Sequence, residues 1–134
     1  MCAFCEIVAG TRPAHVVLDD DSCLAFLDAR PVFPGHVLLV PKAHHETLAD
    51  LPPALVEPLF SRAQRLSVAV PKGVDAVGTF VGINNTVSQS VPHLHVHVVP
   101  RRPKDGLRGF FWPRTKYDSD EQAAAVADAI RQAM

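Results

Sequence analysis

The pattern of apolar and polar positions divides the chain into one long segment with helical spacing and several short apolar runs. Between residues 53 and 70, apolar side chains recur at every third or fourth position, which predicts a helix with one buried face. Asp50 lies just before the prolines that open this segment and is the expected N-cap. Residues 4–9 predict a short helical turn, and the acidic segment 118–121 precedes an alanine-rich stretch that predicts a C-terminal helix.

Five short apolar runs, bounded by Pro, Gly, Asp or Ser, predict β-strands. They cover residues 16–18, 23–27, 37–40, 79–83 and 94–99. The expected fold is α+β, an antiparallel sheet of about five strands with one long helix and a C-terminal helix. Residues 1–134 fit one domain of ordinary size. Because one helix covers only one face of such a sheet, the other face is available for a functional site or a homodimer interface.

The charge of the chain is nearly balanced, with 13 Lys and Arg against 14 Asp and Glu. This balance argues against a nucleic-acid-binding surface and against binding to anionic membranes. No apolar run approaches the roughly 20 residues of a membrane helix, and the N-terminal residues do not resemble a secretory signal. Three cysteines, an odd number, do not indicate a disulfide framework, so we expect a cytoplasmic protein.

Three histidines, at positions 93, 95 and 97, alternate with apolar residues between Pro92 and Pro100. Successive side chains of a β-strand point to opposite faces, so a strand here would place the three imidazoles on one face. Imidazole serves as nucleophile, acid, base or metal ligand, and strict alternation is unusual for histidines that only face solvent. A metal site that uses all three is the main alternative, although three side chains in a row, about 6.5–7 Å apart at the backbone of a strand, do not easily converge on one ion.

The segment from Gln89 to Arg101 resembles the signature of the histidine triad (HIT) family, Gln-x-x-x-His-x-His-x-His-x-x followed by Pro-Arg. Other segments resemble the family in the same order, at 2–10, 24–28, 34–36 and 41–44, so the resemblance covers about residues 2–101. It implies a HIT-like fold, commonly a homodimer. It also implies a nucleotide hydrolase or transferase that cleaves at the α-phosphate of a nucleoside phosphoramidate or dinucleoside polyphosphate, through a covalent nucleotidyl-histidine intermediate.

The resemblance implies separate roles for the three histidines. His95 is the nucleophile, and a backbone carbonyl that accepts from its other ring nitrogen would fix the reactive tautomer. His97 donates to a phosphate oxygen or to the leaving group, and His93 supports the nucleophile. A further histidine, His36, is expected to be structural or to line the site.

The resemblance also implies the remaining substrate contacts. Asp28 would accept from the ribose hydroxyls, and Gln89 and Ser90 would hold α-phosphate oxygens. The loop at 84–85 would add a phosphate or ribose contact, with Asn85 favoured over Asn84. Family members often carry glycine before the glutamine and after the asparagine, whereas Ser88 precedes Gln89 here and residues 84–87 contain no glycine.

Cys2 and Cys5 have the spacing of a zinc-binding pair. In part of the family such a pair binds zinc together with two histidines, which correspond here to His44 and His93. The resemblance therefore implies a tetrahedral structural zinc site. A redox pair and a frayed chain terminus are the alternatives, and in family members without zinc the two histidines support the nucleophile by hydrogen bonds.

Two other function classes stay open: a nucleotide-binding regulatory module with slow turnover, and a metal-dependent hydrolase that uses the triad as ligands. The basic segment 101–114 is either a solvated loop or a binding site for the distal phosphates of a polyphosphate substrate. Within this segment, the aromatic residues 110–112 have two interpretations: packing on the edge of the domain or packing at a dimer interface.

Overall fold

The structure is a computed structural model that describes residues 2–107 and 114–134. The aromatic residues 110–112, interpreted as packing on the domain edge or at a dimer interface, lie outside the described residues. The chain divides into two compact units, one ending at Pro103 and one beginning at Lys104. The prediction of one domain over residues 1–134 stays a prediction, as does the homodimer.

The first unit contains one five-stranded sheet and two α-helices. Its elements are α1 (Ala3–Val8), β1 (Val16–Asp19), β2 (Cys23–Leu27), β3 (Val37–Pro41), a 3-10 helix (Leu48–Asp50), α2 (Pro53–Val74), β4 (Gly78–Gly82) and β5 (Val96–Arg101). The strand order is β1-β2-β3-β5-β4, and all neighbouring strands are antiparallel. The α+β prediction with about five antiparallel strands is confirmed.

The two faces of the sheet pack into separate apolar clusters because the strand residues alternate between them. Leu39 of β3 contributes to the cluster that contains the buried face of α2, and its neighbour Leu38 contributes to the cluster that contains Phe4 of α1. Burial of a leucine side chain contributes about 1.5–3 kcal/mol. The short helix α1 is therefore fixed against the sheet face opposite α2, close to the segment that carries the three histidines.

The long helix begins at Pro53 as predicted, but its predicted N-cap and its predicted C-terminal end are wrong. Asp50 does not cap α2; its carboxylate accepts from the backbone N and the hydroxyl of Thr47, at 3.0 and 2.7 Å, and so closes the preceding 3-10 helix. The helix also continues through Pro71 to Val74 instead of ending at residue 70. A proline removes its own N–H but has a helical φ, and the extra turn places Val74 against Gly35, where an added Cβ would meet it at 2.8 Å.

The prediction that one strand carries all three histidines is also wrong. Strand β5 begins at Val96, so only His97 lies in it. His93 and His95 belong to the preceding irregular segment, where the N–H of Leu94 donates to the carbonyl of His45 at 2.7 Å. The apolar residues of the run still enter the core as expected, since Leu94, Val96 and Val98 are all buried in the cluster next to α2.

The second unit contains α3 (Asp120–Ala133), the predicted C-terminal helix. Ser119 caps it by accepting a hydrogen bond from the N–H of Gln122 at 3.0 Å. Across the described parts of the chain, none of the helices has the length and apolar character needed to cross a membrane.

Candidate active site

The three histidines meet at the start of β5, under the short helix α1. His93 and His95 are almost fully buried, at 0% and 2% exposure, and His97 is half-buried. The rings of His95 and His97 lie 4.9 Å apart between centroids. Every buried side-chain nitrogen or oxygen among the described residues has a hydrogen-bond partner. The position of the proton on each ring can therefore be assigned from the partners of its nitrogens.

The tautomer of His95 is fixed by a backbone carbonyl. Its Nδ1 lies 2.7 Å from the carbonyl oxygen of His93, an atom that only accepts, so Nδ1 carries the proton. In a neutral imidazole the other nitrogen, Nε2 of His95, then holds the lone pair. The backbone carbonyl expected to orient this ring belongs to the residue two positions earlier.

The opposite tautomer is fixed at His93. Its Nε2 lies 2.8 Å from the carbonyl oxygen of Pro41, so Nε2 carries the proton and Nδ1 holds the lone pair. That lone pair is directed at Cys2, Cys5 and His44, whose sulfur or Nδ1 atoms lie 3.5, 3.6 and 3.2 Å away. Burial lowers the pKa of His93, which favours the neutral form that presents a lone pair.

His97 has a histidine partner that the sequence did not identify. Its Nδ1 lies 2.9 Å from Nε2 of His36, which is 3% exposed and precedes β3. Sequence reasoning expected His36 only to be structural or to line the site. The position of His36 directly after Pro34-Gly35 was the available signal, but the contact spans 61 residues and depends on the pairing of β3 with β5.

Phe4 of α1 packs directly on the candidate nucleophile. Its ring centroid lies 5.0 Å from that of His95 with an interplanar angle of 87°, an edge-to-face arrangement. Phe4 also contacts Phe26 at 5.3 Å, which anchors it to β2. Because Phe4 lies between Cys2 and Cys5 in the sequence, the same helical turn supplies two candidate metal ligands and a packing surface for His95.

A cavity of about 1010 Å³ opens beside His95 and His97. Its walls include apolar side chains such as Ile7 and Leu38 and the carboxylate of Asp28, half-buried. The Asp28 carboxylate also accepts a hydrogen bond from the N–H of Arg30 at 2.9 Å, and one of its oxygens lies 3.7 Å from Nδ1 of His36. The cavity size and its combination of apolar and polar walls suit a nucleotide-sized ligand.

The glutamine and asparagine expected to contact substrate are engaged with backbone groups. Gln89 donates from Nε2 to the carbonyl of Glu46 at 2.6 Å and accepts from the N–H of Thr86 at 3.0 Å. Asn85 accepts from the N–H of Leu48 at 2.8 Å, which leaves its amide N–H₂ for a ligand. These contacts join the loop that carries them to residues 46–48, whereas Ser90 is exposed and lines the cavity.

Cys2, Cys5, His44 and His93 form a four-membered group of possible metal ligands. The two sulfurs are 3.3 Å apart, the two Nδ1 atoms are 3.2 Å apart, and the sulfur-to-nitrogen distances run from 3.2 to 3.7 Å. A tetrahedral zinc site with ordinary bond lengths has ligand-to-ligand distances of about 3.3–3.8 Å. The four residues therefore fit zinc in number, type and spacing, and the hydrogen bond from His93 to Pro41 is the outer contact usual for a zinc-bound imidazole.

The chain from residue 9 to residue 104 matches the family model of the HIT domain. This chain belongs to the HIT family. It is 32% identical to the adenylylsulfatase HINT3 of Arabidopsis thaliana, over 98% of this chain and 68% of that protein. The crystal structure of a HIT-family member from Bacillus subtilis matches with a TM-score of 0.90 and 33% identity, over 99% of this chain and 96% of that one.

A second solved HIT protein, zinc-bound and from Mycobacterium smegmatis, matches with a TM-score of 0.75 and 38% identity, over 98% of this chain and 94% of that one. The resemblance to the HIT family and the expected HIT-like fold are thereby confirmed. Family membership and a relative named as a hydrolase of a nucleotide substrate support a nucleotide hydrolase in general terms. The zinc-bound relative and the Cys/His group support a zinc site in the same general sense.

The loop before the HIT signature contains two strained residues. Thr86 and Ser88 have φ values of 67° and 62°, in the left-handed region that favours glycine. These positions correspond to the missing glycines noted in the sequence. The loop therefore keeps a glycine-like conformation with residues that are unfavourable in it, at a cost of about 1 kcal/mol or more each.

We expect Thr86→Gly to raise the free energy of unfolding by about 1 kcal/mol, because strain relief outweighs the greater freedom of glycine in the unfolded chain. Chemical denaturation measures the change. Thr79→Gly is the matched control, since Thr79 lies inside β4 and the same replacement there should be destabilising. Equal destabilisation by both variants would show that Thr86 is not strained.

Proposed function

We propose that the chain hydrolyses a nucleotide derivative at its α-phosphate through a covalent nucleotidyl-His95 intermediate. The observation that carries the proposal is the hydrogen bond from Nδ1 of His95 to the carbonyl of His93, which leaves Nε2 as a lone-pair nucleophile beside the cavity. A pure nucleotide-binding module has no need of this arrangement.

In the first step, Nε2 of His95 donates its lone pair to the α-phosphorus and the bond to the leaving group breaks. The leaving group departs with the bond pair as an anion if it is sulfate or phosphate, and an amine leaving group takes a proton from solvent. The nucleotidyl-imidazole is cationic, and its Nδ1–H stays hydrogen-bonded to the carbonyl of His93, which stabilises the charge.

In the second step, a water oxygen attacks the same phosphorus and the N–P bond returns its pair to Nε2. The water proton passes to solvent, and His95 is restored. Negative charge develops on phosphate oxygens in both steps, and fixed N–H donors stabilise it. His97, the amide of Asn85 and the backbone near Ser90 supply such donors in this proposal, while Asp28 accepts from the ribose hydroxyls.

The substrates that fit are nucleotides with a P–N or phosphoric anhydride bond at the α-phosphate. Nucleoside phosphoramidates and dinucleoside polyphosphates belong to this class, and so does adenylyl sulfate, which the name of the Arabidopsis relative indicates. The apolar cavity walls accept a base mainly by packing, so we propose that the phosphate substituent determines specificity more than the base does.

Trapping the intermediate tests the covalent step. Wild-type protein is mixed with an adenosine phosphoramidate, the reaction is quenched rapidly without acid or denaturant, and the intact mass is measured. We expect a chain that is heavier by one adenylyl group. Peptide mapping should place this group on His95. An adduct on another residue, or turnover with no adduct at any quench time and no burst of leaving group, would contradict the covalent mechanism.

We further propose that Cys2, Cys5, His44 and His93 hold a zinc ion that is structural. When bound, the ion joins α1 to the segment before β5, and all four ligand positions come from the protein, as in structural zinc sites. The alternative in which the triad itself binds a catalytic metal has no geometric support. Among the described residues, neither group of possible ligands contains more than one triad histidine.

A further inference from the structure

His36 is a buried histidine with a defined partner on each ring nitrogen. Its Nδ1 lies 3.1 Å from the backbone nitrogen of Val32, and its Nε2 lies 2.9 Å from Nδ1 of His97. Only 3% of the residue is exposed, so solvent does not compete for either contact. The direction of the first hydrogen bond determines which nitrogen donates in the second.

The amide of Val32 can only donate, so Nδ1 of His36 must hold a lone pair. In the neutral ring the proton then lies on Nε2, which donates to Nδ1 of His97. Since Nδ1 of His97 accepts, the single proton of the neutral His97 ring lies on its Nε2. One backbone amide in the loop before β3 thus sets the tautomers of two histidines in sequence.

Burial and the neighbouring histidines favour this neutral arrangement. Burial lowers the pKa of His36 and lowers the pKa of His97 to about 4, with further lowering of the His97 pKa by the neighbouring His95 and His36. Asp28 is the acidic group that faces them and acts in the opposite direction. Its oxygen, 3.7 Å from Nδ1 of His36, is too distant for a hydrogen bond.

The same proton assignment argues against a second metal site. Asp28, His36 and His97 bring possible ligand atoms close together. However, the 2.9 Å contact between the two rings contains the Nε2 proton of His36, and Nδ1 of His36 is occupied by the Val32 amide. An ion bound to His36 at this position would have to displace either the proton from its Nε2 or the Val32 amide from its Nδ1.

We propose that His36 is a positioning residue that holds His97 as a fixed Nε2–H donor toward the phosphate. The inference rests on the proposed function, since it assigns the state in which His97 meets the substrate. His95 and His97 thereby present opposite groups to the cavity: a lone pair on Nε2 of His95 for attack, and an N–H on Nε2 of His97 for the charge that develops. Two different backbone groups produce this difference between neighbouring imidazoles of the same strand region.

A spectroscopic experiment tests the inference independently of any turnover. In ¹⁵N-labelled wild-type protein at neutral pH, ring correlations should show the proton of His97 on Nε2 and the proton of His36 on Nε2. A nitrogen–nitrogen coupling across the hydrogen bond should connect Nε2 of His36 to Nδ1 of His97. A proton on Nδ1 of His97 would overturn the inference, even if the covalent mechanism through His95 is correct.

Kinetics of two His36 variants test its consequence. His36→Leu removes both ring nitrogens and so both hydrogen bonds. We expect kcat to fall about 10–100-fold with KM changed less than threefold, because His97, the donor that stabilises the developing charge, becomes disordered. His36→Gln is the matched control, since its amide keeps an acceptor and a donor about as far apart as the two ring nitrogens, and it should retain most of kcat. Equal losses in the two variants would contradict the positioning role, and thermal unfolding of both reports whether the fold is intact.

A double-mutant cycle separates positioning from general stability. If His36 acts through His97, then His36→Leu should cost less than about threefold in kcat when His97 is already replaced by alanine. A full additional loss in the His97→Ala background would show that His36 acts by another route. If no candidate substrate is turned over by wild type, the proposed function fails, while the ring spectra still decide the tautomer of His97.

Discussion

Replacement of His95 by alanine should lower kcat about 10⁴-fold or more, the largest loss that any single substitution in this chain is expected to cause. The proposed mechanism has no other atom that can form the N–P bond, and removal of a covalent nucleophile in an enzyme commonly costs this much. Binding of AMP should change less, because the cavity walls and the carboxylate of Asp28 remain in place. Steady-state kinetics with calorimetric titration of AMP measures both quantities.

The alanine variant also leaves a space of the shape of the missing ring. Added imidazole should enter it and restore part of the turnover, with a rate that rises with imidazole concentration. His45→Ala is the control for loss of a histidine nearby, since no ring contact of His45 is part of the proposed mechanism, and its kcat should stay within about threefold of wild type. A His95→Ala variant with more than a tenth of wild-type kcat would rule out the nucleophilic role.

The fold was largely predictable because local patterns coincide with burial. The helical spacing of α2 and the apolar run of β3 are strong signals, and both elements lie where they are predicted. The errors lie at ends that depend on tertiary contacts. Val74 extends α2 past Pro71 because it packs on Gly35, which is close only in the folded chain.

The chemistry of the triad was less predictable than its presence. Alternation placed His93, His95 and His97 on one strand, but the first two precede β5, where Leu94 pairs with the backbone of His45. Their different proton positions come from distant or irregular backbone groups: the carbonyl of Pro41, the carbonyl of His93 and, through His36, the amide of Val32. A residue pattern shows that imidazoles are present, whereas the tautomer of each depends on contacts formed only by folding.

The described loop also shows what a departure from the family pattern costs. The missing glycines left the conformation of residues 84–88 undecided, and the structure gives Thr86 and Ser88 the backbone angles of the absent glycines. Gln89 and Asn85 compensate by bonding to the backbone of Glu46 and Leu48. The sequence identified these polar side chains, but it could not show that they hold the loop through backbone groups of residues 46–48.

Loss of zinc should produce the second-largest effect, and mainly on stability. Wild-type protein purified without chelator should contain about one zinc per chain, and Cys5→Ser should contain far less. The free energy of unfolding should fall by about 4 kcal/mol, which is the linkage value for free metal at 1,000 times its Kd. Cys23→Ala is the matched control, because Cys23 is buried away from the Cys/His group and its loss should leave the metal content unchanged.

The activity of the metal-depleted protein distinguishes a structural ion from a catalytic one. Both supports of the His95 ring belong to the segments that carry the proposed zinc ligands: Phe4 lies between the two cysteines, and the carbonyl that fixes Nδ1 belongs to His93. Chelation should therefore lower kcat about 10-fold through disorder of His95, far less than loss of the ring itself. Cobalt or cadmium should restore kcat to the same level as zinc, because the ion only holds the ligands together. A kcat that depends strongly on which metal is added, or a chelated protein with unchanged unfolding, would contradict the structural role.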